Sequence, residues 1–136
     1  MSFFSQKGVG KSTLLKKFNF HSDFPGCYVL IENSLPFYVG ISRSVINRLL
    51  QHVKGKTHFD ASLAYRIANN SYKHELSRSE AMKTPEMKKK FQEAKQRISN
   101  MDVAFIEIEN DLEIYLFEVY CAMELKTKEW NTFATH

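Results

Sequence analysis

Residues 26–42 read Gly-Cys-Tyr-Val-Leu-Ile-Glu-Asn-Ser-Leu-Pro-Phe-Tyr-Val-Gly-Ile-Ser. Two short runs rich in aliphatic and aromatic residues flank Asn33-Ser34, which is turn chemistry, so the stretch predicts a β-hairpin with strands over 26–32 and 36–42. Pro36 lacks an N–H and fits a strand opening or an edge. Side chains alternate faces along a strand. A three-residue loop, Asn33 to Leu35, sets Tyr28 opposite Gly40 and Leu30 opposite Tyr38, with both tyrosines on one face. A two-residue loop puts them on opposite faces, because a one-residue slip inverts a strand. The hairpin register therefore decides whether Tyr28 and Tyr38 can share a site.

Outward from the hairpin, Ser42 to Ser44 offers caps for a helix over 45–53. Its apolar residues 45, 46, 49, 50 and 53 form a helical stripe. Arg48 and His52, four residues apart, line one face of that helix. Lys54 to His58 is a basic loop, and Asp60 or Thr57 caps a second helix over 61–69. Residues 70–84 are polar and poorly periodic. Thr84-Pro85-Glu86 opens a helix that runs to about Ser99, with proline in its first turn. Its Lys88-Lys89-Lys90 run reads as a solvated face. Residues 101–109 alternate and predict a third strand; Asp111 caps a last helix over about 112–126. Inside that helix Glu118 sits in the run Ile114-Tyr-Leu-Phe-Glu-Val-Tyr-Cys-Ala-Met123. A part-buried carboxylate wants a partner, and a metal ion would serve. Hairpin, helices, strand, helix is the order of an α+β domain with a small, mainly antiparallel sheet.

Bulk properties set the frame. A chain of 136 residues forms one domain and can bury a core without disulfides. Its 19 Lys and Arg against 15 Asp and Glu give +4, a balance that suits a polyanionic partner. Cys27 and Cys121 lie in apolar stretches outside any CxxC pair and read as buried free thiols, not zinc ligands. No apolar run approaches the ~20 residues that span a bilayer, and no secretory leader follows Lys7, so a cytoplasmic location without membrane contact is expected.

Gly26-Cys27-Tyr28, Tyr38-Val39-Gly40, Arg48, His52, Glu118 and Asn131, in this order, resemble the GIY-YIG nuclease family. Cys27 and Val39 stand where that pattern has isoleucine. The resemblance covers about residues 24–136, leaving 1–23 as a basic N-terminal extension. It implies a three-stranded antiparallel sheet flanked by helices, and a Mg²⁺-dependent endonuclease acting on DNA, with Mn²⁺ able to substitute. It implies that Glu118 holds one Mg²⁺, the hard cation suited to carboxylate and phosphate oxygens. Arg48 then holds the scissile phosphate, and Tyr28 helps deprotonate the attacking water. Tyr38 and His52 orient or relay protons, and Asn131 binds phosphate or supports the site. A phenol is ionised about 0.1% at pH 7, so the tyrosine role leads us to expect an alkaline optimum, with Arg48 and the metal lowering its pKa. Lys54, Lys56, His58, Lys73 and Arg78 are candidates for phosphate contacts along a nucleic-acid track. RNA stays open as a substrate, as do a monomer or a homodimer.

Two alternatives come from different classes. A non-catalytic module could keep this fold and bind nucleic acid. Residues 5–13, Ser-Gln-Lys-Gly-Val-Gly-Lys-Ser-Thr, end in a Gly10-Lys11-Ser12 match to the P-loop of nucleotide hydrolases. Only Met1 to Phe4 precede it, too little for the strand that feeds such a loop.

Overall fold

The computed structural model describes residues 1–127, 130 and 131; the end of the expected domain at 132–136, with Lys128 and Glu129, lies outside the described residues. Three strands, β1 (Gly26–Glu32), β2 (Leu35–Ser42) and β3 (Asp102–Glu107), form an antiparallel sheet in the order β2-β1-β3. Among the described residues seven helices accompany them: α1 (Ser2–Ser5), α2 (Lys11–Lys17), α3 (Val45–Lys54), α4 (Ser62–Asn70), α5 (Arg78–Ala81), α6 (Pro85–Ser99) and α7 (Asp111–Glu124). The α+β expectation holds.

The hairpin reaches the expected pairing by another route. Its turn is the two residues Asn33 and Ser34, both at positive φ (51° and 65°), the primed-turn conformation that matches strand twist. By parity alone this would split the tyrosines between faces. A register shift between Leu30 and Ile31 leaves Phe37 without a partner on β1. That bulge adds back one residue, so Tyr28 faces Gly40 and Leu30 faces Tyr38. Pro36 sits beside the bulge on an edge strand, where a missing N–H is tolerated.

The two faces of the sheet are covered unequally. Tyr28, Leu30 and Tyr38 enter the main core with Ile46, Leu49, Leu63, Met87, Phe91 and Ile98 from α3, α4 and α6. Met1, Phe4 and Leu14 of the first 23 residues are buried in this same core, and the Met1 amino group donates to the Met101 carbonyl at 2.5 Å. Cys27 and Val39, pointing the other way, lie under α7, whose inward residues are Ile114, Glu118, Cys121 and Ala122. Helix α7 packs over β2 and β1 and leaves Ile106 of β3 exposed.

Capping differs from expectation at α3. Asp23, not Ser44, closes that helix: its carboxylate accepts from the N–H groups of Ile46 and Asn47, both at 2.9 Å. Helix α7 is capped by Asn110, whose side chain accepts from Leu112 and Glu113. Thr84 caps α6 as read from sequence.

Candidate active site

The bulge-set register brings Tyr28 and Tyr38 side by side, ring centroids 6.2 Å apart. Helix α3 lowers His52 onto both, at 5.5 and 5.9 Å, so three rings form a closed triangle. The Tyr28 hydroxyl lies 2.6 Å from His52 Nε2. Gly40 makes the space: a Cβ there would stand 2.2 Å from Tyr28 Cζ.

Burial dominates the electrostatics of this triangle. Tyr28 is 1% exposed and His52 0%. Desolvation pushes the Tyr28 phenol well above its usual range, with Tyr38 adding to the rise, and the nearby Arg48 guanidinium only partly offsets it. Of the two lowering influences expected for Tyr28, the Arg48 guanidinium acts as foreseen but burial outweighs it. Tyr38 is raised for the same reason, against the pull of Arg66 and Arg48. Burial, with Arg48 and Arg66, takes His52 down to about 3, so its imidazole is neutral. His52 Nδ1 is buried without a hydrogen-bond partner. A bare ring lone pair is cheaper to bury than an unpaired N–H, which favours the tautomer that donates from Nε2 to the Tyr28 oxygen.

Arg48, half-buried, is braced by its own surroundings. Nη1 donates to Gln51 Oε1 (3.1 Å) and to the Asp60 carbonyl (2.8 Å), and Nη2 donates to Ser62 Oγ (3.0 Å). Those contacts tie α3 to the start of α4 and leave the guanidinium beside the Tyr28 hydroxyl. Glu118 approaches from α7, on the far side of the sheet. It is half-buried, burial raises its carboxyl pKa, and its charge acts on Tyr38 and Cys27. Cys27 is pushed up to about 12, first by burial and then by Cys121 and Glu118, so it is a protonated, inert thiol.

Asn131 has a defined structural task. Its Oδ1 accepts from Val39 N–H (3.0 Å) and its Nδ2 donates to Val39 O (2.5 Å). A backbone position on an edge strand presents an unpaired donor and acceptor, and one carboxamide satisfies both. Beside it Trp130 stacks on the bulge residue Phe37 at 5.3 Å, and Arg66 donates to the Trp130 carbonyl at 2.7 Å.

No family model matches this sequence, and no curated protein matches it. Solved structures resemble it: crystal structures of the GIY-YIG N-terminal endonuclease domain of UvrC from Thermotoga maritima, one bound to magnesium and one a tyrosine-to-phenylalanine mutant bound to its catalytic divalent cation. They are 18% and 17% identical, with TM-scores of 0.45 each, covering 90% and 91% of this chain and 100% of theirs. In fold, the chain is similar to a GIY-YIG endonuclease domain.

Among the described residues no group of three His, Cys, Asp or Glu side chains is placed to hold a metal. The donor set fits a different mode: one carboxylate, Glu118, partly desolvated and with no salt bridge to a cation. Mg²⁺ is commonly held by one or two carboxylates plus water and phosphate oxygens, and Glu118 fits that role.

The basic set is dispersed. Lys54 Nζ donates to the carbonyls of Gln6 and Val9, and His58 is buried against Phe59 and Tyr65, so neither presents a free cation outward. Lys56, Lys73 and Arg78 are exposed. Lys54 also fills the mouth of the P-loop-like segment. No strand precedes that segment, and Lys11 points to Asp23 at 3.7 Å, so Gly10-Lys11-Ser12 is not a nucleotide cradle. Two residues escaped the sequence reading. Arg66 of α4 is a second guanidinium at the triangle, 6.0 Å from the Tyr38 ring centre; its signal was the four-residue step from Ser62. Phe59, between His58 and Asp60 at the end of the basic loop, is 76% exposed and lines a pocket of about 390 Å³ with Lys56, Lys88 and Gln92. An aromatic directly after a basic loop was the signal there.

Proposed function

We propose that this protein is a divalent-metal-dependent nuclease hydrolysing DNA phosphodiester bonds. The observation that supports the proposal is the ring contact of Tyr28, Tyr38 and His52 with the Arg48 and Arg66 guanidinium groups beside them; Glu118 stands across the sheet on α7, and its charge reaches Tyr38. In this reading Arg48 binds a non-bridging oxygen of the scissile phosphate and stabilises the charge that grows there, with its fork pre-set by Gln51, Asp60 and Ser62. Glu118 would hold Mg²⁺, which supplies charge neutralisation at the phosphate and leaving oxygen. As the neutral phenol Tyr28 orients the attacking water; it takes that water's proton only as the phenolate, after its own proton has been lost to bulk solvent. His52 is a positioning residue, donating from Nε2 to the Tyr28 oxygen and favouring the phenolate. Tyr38 spaces the rings and couples Glu118 to them. Asn131 acts through β2 by holding Val39, not on phosphate. Lys56, Lys73, Arg78 and the Phe59 ring would receive the nucleic acid, the lysines and arginine on phosphates and the ring on a base.

Burial of Tyr28 and His52 favours a second reading, a nucleic-acid-binding module without hydrolysis, because a general base needs contact with water. Cleavage of supercoiled plasmid by the purified chain, with Mg²⁺ or EDTA and beside Arg48→Ala and Glu118→Ala, separates the two. Nicking that requires the metal and both residues supports the nuclease. DNA binding without nicking in any of these conditions supports the module.

A further inference from the structure

Helix α7 carries two apolar faces, and the sheet uses one of them. Ile114, Glu118, Cys121 and Ala122 turn inward. On the opposite side Leu112, Leu116, Val119 and Met123 are 68, 63, 42 and 73% exposed, flanked by Tyr115 and Tyr120. Their spacing of four, three and four residues is that of a coiled-coil seam. Beside them Ile106, Ile108, Leu116, Phe117 and Tyr120 line a groove of about 410 Å³ between α7 and the uncovered face of β3. Weighted by exposure, at roughly 150–250 Å² for a large side chain, this surface amounts to on the order of 800 Å². The largest apolar patch on a monomer is ordinarily about 300–600 Å², whereas a stable interface buries about 800 Å² per partner.

We propose that this face is the interface of a homodimer, with α7 packed antiparallel against α7 of a second copy. The seam is self-complementary: an antiparallel twofold sets Leu112 against Met123 and Leu116 against Val119, as an isologous contact requires. Charge argues against a polyanionic occupant. Apart from the inward Glu118, the charged residues of α7 are Asp111, Glu113 and Glu124, all acidic and exposed, so neither an anionic bilayer nor a phosphate backbone is attracted to this face. The proposal stands independently of the nuclease reading, because it uses none of the ring triangle.

Sedimentation equilibrium of the full chain at micromolar concentration tests it. The expected mass is twice 15.9 kDa, and Leu116→Glu/Val119→Glu halves it, weakening association at least a hundredfold. Both positions face solvent, so the circular dichroism spectrum of the variant should be unchanged; Met123→Glu is the backup should the pair fail to fold. A wild type that stays monomeric overturns the proposal and points to another segment or protein as the cover. A dimer that survives both variants overturns it too.

Discussion

Tyr28 and His52 form a buried hydroxyl–imidazole pair, 2.6 Å apart, in which burial keeps both partners neutral across the physiological range. Such a pair is built for orientation: the ring of His52 fixes where the Tyr28 oxygen sits, and Arg48 favours the Tyr28 phenolate while opposing a charged His52.

Acid should expose this pair first. The folded pKa of His52 is about 3 against an unfolded value near 6.5, so below pH 6.5 the unfolded chain binds the extra proton. The contribution is complete above pH 6.5 and is lost progressively as pH falls toward 3, to a total on the order of 5 kcal/mol. Urea titrations from pH 7 to 4 should show stability falling through this window, and His52→Gln should flatten the slope.

Tyr28→Phe removes the hydroxyl and strands His52 Nε2. Leaving a buried polar atom unpaired costs about 1–3 kcal/mol, so its Tm should drop. Activity should fall much more in kcat than in KM if the hydroxyl handles water. Equal losses in both would mark a purely structural role.

Gly40→Ala places a methyl on the Tyr28 ring, closer than any van der Waals contact allows. Overpacking of this kind costs roughly 1–3 kcal/mol. The double variant Gly40→Ala/Tyr28→Ala should recover part of that loss in a thermodynamic cycle; strict additivity would contradict the contact.

Asn131→Ala should destabilise by about 1–3 kcal/mol, because two backbone groups on Val39 lose their partner. Asn131→Asp keeps the acceptor for Val39 N–H but turns a second acceptor toward Val39 O, so it should recover no stability relative to alanine. Amide exchange at Val39 reports the effect locally; unchanged protection in both variants would contradict it.

Phe59→Ala should weaken binding of single-stranded DNA by about 1–3 kcal/mol with little change in Tm, since base stacking on an exposed ring is worth that much. Fluorescence anisotropy with labelled oligonucleotides reads this directly.

Much of the architecture was legible because short-range chemistry dictates it. A short continuous apolar run specified β1, alternation specified β3, Thr84-Pro85 specified the start of α6, and the stripe at 45, 46, 49, 50 and 53 specified α3. The hairpin pairing was anticipated through a different loop, since a bulge at Phe37 depends on cross-strand packing that local sequence does not reveal. The Asp23 cap was invisible for a similar reason: it acts across 23 residues of chain. Of the site, the shared face of Tyr28 and Tyr38 was anticipated through their register, while His52 beside them was implied only by the family resemblance. Full burial of that trio was not anticipated, because it depends on how α4 and α6 close over α3. Nor did the sequence separate the inward from the outward face of α7, where apolar residues occur on both.

The central claim is that Arg48 and Glu118 serve one metal-assisted phosphodiester cleavage. Single-turnover cleavage of labelled duplex DNA with Mg²⁺, comparing the wild type with Arg48→Ala and Glu118→Ala at matched folding and DNA binding, tests it most directly. The account predicts metal-dependent cleavage by the wild type and a loss of at least a hundredfold in each variant. Cleavage that persists in Glu118→Ala, or a folded, DNA-bound wild type that never cuts, would contradict it.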